Sequence, residues 1–121
     1  MKILVVDDEK DVQRLFEQRF RKERRSGEVE LFFAGSGQEA LEFLAQKKGS
    51  GLALILSDIN MPQMSGLELL QTVREQYPGL KIFMITAYSD EETRRQAMEL
   101  GADAFFGKPL DFQALKEKLL D

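Results

Sequence analysis

The chain has 121 residues, of which 43% are hydrophobic and 31% charged, the balance of one packed domain and not of a disordered segment. Seventeen basic residues against twenty-one acidic ones give a net charge of -4, the wrong sign for a module that binds nucleic acid through bulk electrostatics. There is no cysteine and no histidine, which excludes disulfide frameworks, thiolate and imidazole metal sites, and Ser-His or Cys-His catalysis, so carboxylates, Lys, Ser, Thr or a hard metal must carry any chemistry.

Five short apolar runs alternate with five amphipathic segments. The first run, Lys2 to Val6, is rich in β-branched residues and stops at Asp7-Asp8-Glu9. A helix is predicted from about Lys10 to Arg24, with Val12, Leu15, Phe16 and Phe20 on one face, and Gly27 ends it. Glu28 to Ala34 reads as a second strand, and Gly35-Ser36-Gly37 turns the chain into a helix carrying Ala40, Leu41, Phe43 and Leu44. A polar loop, 47–51, follows. Leu52 to Ser57 is continuously apolar, as a strand covered on both faces should be. The third helix spans about Gly66 to Gln76, with Leu67, Leu70 and Val73 inward, and Pro78-Gly79 turns the chain into a fourth strand, Lys81 to Thr86. The fourth helix runs from about Asp90 to Leu100 and stops at Gly101. A short strand, Asp103 to Phe106, leads through Lys108-Pro109 to a last helix, about Phe112 to Leu120. Three helices open with Ser-x-x-Glu, at Ser36/Glu39, Ser65/Glu68 and Ser89/Glu92, which reads these serines as caps and not as nucleophiles.

Strict alternation with two-sided apolar strands predicts an α/β fold, a doubly wound five-stranded parallel sheet of order 2-1-3-4-5. Ligands of such sheets bind at the carboxyl ends of the strands, where strands 1 and 3 meet. Asp7-Asp8 ends strand 1, Asp58 ends strand 3, Thr86 ends strand 4, and Lys108 follows strand 5. Three carboxylates so placed repel one another unless a cation neutralises them. An all-oxygen donor set suits Mg²⁺, with Mn²⁺ as an alternative. Carboxylates, a hard metal, a lysine and a hydroxyl together suit phosphoryl transfer, with an aspartate as the acceptor.

These residues resemble the receiver domain of bacterial response regulators, the phosphoacceptor module of two-component signalling, in its chemotaxis-regulator-like, flavodoxin-like (βα)5 form. The resemblance covers nearly the whole chain and rests on Asp7-Asp8, on Ser57-Asp58-Ile59-Asn60-Met61-Pro62 followed by Ser65-Gly66, on Thr86-Ala87 and on Lys108-Pro109, with Gly37-x-Glu39-Ala40-Leu41 at the second helix start. It implies that 1–121 is one receiver domain that accepts a phosphoryl group from a histidine kinase or phosphotransfer protein. It implies Asp58 as the phosphorylated nucleophile, Asp8 as a direct Mg²⁺ ligand, Asp7 binding mostly through water, and the backbone carbonyl of Asn60 as a further ligand. Lys108 would contact the phosphoryl oxygens, Thr86 would donate its hydroxyl to them, and Phe105 would be the switch aromatic, without the hydroxyl of the tyrosine many members have there. A cis Lys108-Pro109 bond is also implied, as is a face formed by the fourth helix, fifth strand and last helix that controls an output domain or partner. The module would promote its own phosphorylation and dephosphorylation without being a turnover enzyme, and a phosphorylation-linked homodimer is compatible with it. Ala104 departs from the Asp that winged-helix regulators often have in their dimer contact.

Other readings compete. Gly35-x-Gly37-x-x-Ala40 after a strand imitates a dinucleotide fingerprint, but strand 2 is an edge of the expected sheet. Asp58-x-Asn60 faintly resembles the aspartate nucleophile segment of haloacid-dehalogenase-type phosphatases. A degenerate receiver that signals without phosphate is a third alternative. Arg19, Arg21, Lys22, Arg24 and Arg25 form a basic run that reads as a solvated helix end or a phosphodonor docking surface, and Arg94 and Arg95 read likewise. Only Ile3 to Val6 precede the first acidic residue, too short an apolar run for a signal peptide, and no run approaches the ~20 residues of a membrane span. The expected location is the cytoplasm, with no membrane and no direct nucleic-acid contact.

Overall fold

The computed structural model describes residues 1–46, 51–87 and 90–120. Strands β1 (Lys2–Val6), β2 (Glu30–Ala34), β3 (Leu52–Asp58), β4 (Lys81–Thr86) and β5 (Ala104–Gly107) form one sheet. Its order is β2-β1-β3-β4-β5 and every neighbouring pair is parallel, as predicted. Helices α1 (Asp11–Arg19), α2 (Arg21–Arg25), α3 (Gly37–Ala45), α4 (Gly66–Gln76), α5 (Glu91–Glu99) and α6 (Phe112–Leu120) cover both faces.

The period-2 geometry of the strands sorts their side chains into two cores. Leu4, Val6, Ile55, Ile82 and Met84 point to one face, under Ala40, Leu44, Leu69, Leu70, Val73 and Ala97 of α3, α4 and α5. Ile3, Val5, Leu54, Leu56, Phe83 and Ile85 point to the other, under Phe16 of α1, Phe20, and Phe112, Leu115 and Leu119 of α6. Each fully buried aliphatic or aromatic side chain contributes roughly 1.5–3 kcal/mol of hydrophobic stabilisation. Phe16 and Phe20 stack at a centroid separation of 6.0 Å, and Phe112 of α6 meets them edge-on at 5.1 and 6.2 Å, which fixes α6 against α1.

The structure differs from the sequence reading in four places. The predicted first helix is α1 and α2, separated where Phe20 leaves the helical basin at φ -104, ψ 17. The hydrogen bonds Phe20 N–H to Phe16 C=O and Arg24 N–H to Phe20 C=O still bridge the junction. Leu15, expected inward, is 40% exposed. On α4 it is Leu69, with Leu70 and Val73, that is buried, while Leu67 is half-buried, because the inward stripe follows Gly66, whose face packs on β3. At α5 the capping residue is Asp90, whose carboxylate accepts from the Thr93 N–H at 2.7 Å. Ser89 and residues 47–50 of the polar loop lie outside the described residues. The other two caps form, with the Ser36 hydroxyl accepting from Glu39 N–H and the Ser65 hydroxyl from Glu68 N–H. The Glu39 carboxylate returns a bond to the N–H of Gly35.

At the amino ends of β4 and β5 the strands are tied by Arg74 of α4. Its guanidinium donates to the carbonyls of Gly101 and Leu80 and to the Asp103 carboxylate, which also accepts from Ile82 N–H. The carboxyl ends, where the site lies, are therefore carried by a sheet fixed at its opposite edge.

Candidate functional site

Strands β1, β3 and β5 are each continued by one more ladder bond from the residue that follows them. Asp7 N–H donates to Ala34 C=O, Ile59 N–H to Ile85 C=O, and Lys108 N–H to Thr86 C=O, at 2.9–3.1 Å. The side chains that follow β1, end β3 and β4, and follow β5 are thus anchored by backbone bonding across the sheet. Asp7, Asp8 and Asp58 each bring a carboxylate oxygen within 4.8 Å of the others. Asp58 is buried and the Asp7 side chain is 8% exposed, whereas Asp8 faces water.

The Lys108 ammonium lies 3.3 Å from Asp7, 3.4 Å from Asp58 and 3.9 Å from Glu9. Desolvation pulls the Lys108 pKa down, but Asp7 and then Asp58 outweigh it and hold it above the ordinary value, so Lys108 is a fixed cation. Burial, and next the Asp7 charge, push the Asp58 carboxyl above the ordinary carboxylate range; Lys108 and the Asn60 N–H, 3.4 Å from its Oδ1, offset this in part. Asp58 is therefore a carboxylate held at an electrostatic cost. Three oxygen-only acids converging on one point, the outermost open to water, fit a hard divalent cation that keeps several waters.

The loop after β3 is shaped by two tight features. Gln63 has a positive φ of 67°. A Cβ on Gly66 would stand 2.2 Å from Asp58 O and 2.7 Å from Ile59 Cα, so only glycine lets α4 start this close to the acidic residue. Thr86 is buried, and its hydroxyl donates to Asn60 Oδ1 at 2.8 Å. Phe105, half-buried on β5, packs against the α3–α4–α5 core. The Lys108-Pro109 peptide bond is cis.

All the predicted site residues but Phe105 line the carboxyl end of the sheet, and Phe105 stands on β5 with Met84 of β4 as its register partner. Sequence reasoning missed Glu9, which approaches Lys108 and whose N–H donates to Asp7 Oδ1; the acidic run Asp7-Asp8-Glu9 was its only signal. It also missed the side-chain role of Asn60. The glycines that imitate a dinucleotide fingerprint have packing reasons. A Cβ on Gly37 would meet Met64 Sδ at 2.6 Å, and Gly35 donates to Glu39. On the basic run, Arg24 faces Glu17, while Arg19 lies over the Phe112 ring. Arg94 and Arg95 pair within α5 with Glu91, Glu92 and Glu99, surface contacts of small energetic weight.

A family model described as response regulator receiver domain matches residues 3–120. A chemotaxis protein CheY homolog of Campylobacter jejuni is 34% identical over 123 residues, covering 100% of this chain and 91% of that protein. The response regulator protein PilR of Pseudomonas aeruginosa is 37% identical over 119 residues, covering 96% of this chain but only 24% of that protein. Among solved structures, the signal receiver domain of an HD domain-containing protein from Pseudomonas fluorescens superposes with a TM-score of 0.86 at 28% identity, covering 98% of this chain and 90% of that one.

Proposed function

The chain belongs to the response regulator receiver family of two-component signalling, and from that premise we propose that residues 1–121 act as one receiver domain with Asp58 as the phosphoacceptor. The observation that carries this is the convergence on Asp58 of two further carboxylates and one fixed cation, Lys108. Members of this family are generally not turnover enzymes, and neither the phosphatase-like reading nor that of a degenerate receiver signalling without phosphate is favoured.

Asp58 Oδ attacks the phosphorus of a phosphohistidine on a histidine kinase or phosphotransfer protein. The P–O bond forms as the donor's P–N bond breaks, and the electron pair leaves on the imidazole nitrogen. Burial keeps water from competing with the incoming phosphorus. The charge that Asp7 imposes raises the energy of the ionised nucleophile before reaction, and the further negative charge that the phosphoryl group brings is met by Lys108. Lys108, already held as a cation, lies where it can donate to the phosphoryl oxygens. Asp7, Asp8 and Asp58 would hold Mg²⁺ together with the Asn60 backbone carbonyl, Asp8 directly and Asp7 mostly through water, and the ion would neutralise phosphoryl and carboxylate charge together.

The phosphoryl group carries about two negative charges where the carboxylate carried one, and brings new acceptor oxygens. Thr86 donates to them, and Phe105, on the neighbouring strand, repacks beside it. The face of α5, β5 and α6 then controls an output domain or partner, a homodimer being one such outcome. A cytoplasmic location follows from the signalling role; among the described residues no helix is long and apolar enough to cross a membrane. The test is incubation with acetyl phosphate and Mg²⁺. The protein should gain one phosphoryl mass that hydroxylamine removes, and Asp58→Asn should gain none; equal labelling of both would refute the assignment.

A further inference from the structure

The Thr86 hydroxyl lies 2.8 Å from Asn60 Oδ1, at the lip of the site. A threonine hydroxyl carries one O–H. It can direct that hydrogen to the Asn60 carbonyl or to a phosphoryl oxygen on Asp58, but not squarely to both. The geometry points to Asn60 as a latch. We propose that its side-chain carbonyl holds the Thr86 proton in the resting protein and competes with the phosphoryl group for it, so that Asn60 sets how readily the domain switches.

Three features make the competition effective. Thr86 is fully buried at the end of β4, so its hydroxyl exchanges partners with little help from bulk water. Asn60 is two residues past Asp58, and its own N–H donates to Asp58 Oδ1, so acceptor and phosphoacceptor move as one segment. Gly66 packs against Asp58 and Ile59 with no room for a Cβ, which limits how far that segment can retreat. A phosphoryl oxygen is a charged acceptor and outbids the neutral amide, because charge-assisted hydrogen bonds are roughly twice as strong. The latch is thus broken by phosphorylation, yet it lowers the apparent affinity for any phosphoryl mimic by the fraction of molecules it holds in the resting arrangement. Asn60 is a positioning residue here, acting through Thr86.

The proposal rests on the receiver reading, and the experiment separates the two. Beryllofluoride affinity is measured in saturating Mg²⁺ for wild type, Asn60→Ala, Thr86→Val and the double variant. One neutral hydrogen bond is worth about two- to tenfold in an equilibrium. Asn60→Ala should therefore bind beryllofluoride about two- to tenfold more tightly than wild type, and the same change in the Thr86→Val background should have no effect. A merely structural role for Asn60 would weaken binding in both backgrounds. Unchanged or weaker binding in Asn60→Ala, or an equal gain in the Thr86→Val background, overturns the latch. Wild-type protein that binds no beryllofluoride at all overturns the receiver reading and the latch with it.

Discussion

Replacing Asp58 by Asn should stabilise the metal-free protein while abolishing its chemistry. At an effective dielectric of about 20, like charges within 4.8 Å of one another, as Asp7 and Asp58 are, repel by at least about 3 kcal/mol. Water-facing Asp8, screened at a dielectric near 80, adds about 1 kcal/mol. Lys108, at 3.4 Å, attracts Asp58 by about 5 kcal/mol on the first scale. The charges nearly cancel, which leaves the desolvation of a carboxylate that is 4% exposed, the first cause of its raised pKa. Partly compensated by the Asn60 N–H, that residue of cost is on the order of 1–2 kcal/mol. For a chain of this size it corresponds to a rise in Tm of roughly 4–8 °C. The sign of the pH dependence follows. Folded Asp58 keeps its proton to higher pH than the unfolded chain does, so stability falls as pH rises from the ordinary carboxylate range to the raised Asp58 value. Above that value the cost is fully present; below the ordinary range it is absent. Calorimetry in EDTA at neutral and at acid pH tests this, with the Asn variant more stable at neutral pH and equal to wild type in acid. Excess Mg²⁺ should stabilise wild type selectively and narrow the difference. An Asn variant less stable than wild type in EDTA at neutral pH would refute the electrostatic account.

Asp8→Ala should keep the fold but lose Mg²⁺ binding and phosphorylation, and with one like charge fewer its metal-free form should be at least as stable as wild type; equal Mg²⁺ affinity by titration would contradict the metal assignment. Thr86→Ala should still take up a phosphoryl group but fail to switch. Amide NMR should then show beryllofluoride-induced shifts across α5 and β5 in wild type that are lost in the variant. Gly66→Ala forces a Cβ into Asp58 O and Ile59 Cα and should cost on the order of 3 kcal/mol in chemical denaturation, with slower phosphorylation because the Asp58 loop must move.

The elements were legible because their signals are local and periodic. Continuous apolar runs in Ile3–Val6 and Leu54–Leu56, 3.6-residue spacing in α4, and serines at helix starts each follow from one segment alone. Strand order then placed Asp7, Asp8, Asp58, Thr86 and Lys108 together, since parallel strands align their carboxyl ends. What stayed hidden depends on contacts between segments. On α4 Leu69 takes the burial expected of Leu67, and on α1 Leu15 stays exposed, because helix rotation is set by what packs beneath, as Gly66 does against Asp58 and Ile59. The break at Phe20 comes within a run of good helix formers and has no breaker residue to announce it. Arg74 reads as one more surface base until Gly101, Leu80 and Asp103 are brought to it. The bond from Thr86 to Asn60 joins residues 26 apart in sequence that carry no charge pattern.

The most direct measurement of the central claim locates the phosphoryl group chemically. Protein treated with acetyl phosphate and Mg²⁺ is reduced with borohydride, which converts an aspartyl phosphate to homoserine, and its peptides are sequenced by mass spectrometry. Homoserine at position 58 alone, dependent on Mg²⁺ and absent from Asp58→Asn, is the result the account predicts. Homoserine at Asp7 or Asp8, or a stable phosphate on a serine or threonine with Asp58 unmodified, would contradict it.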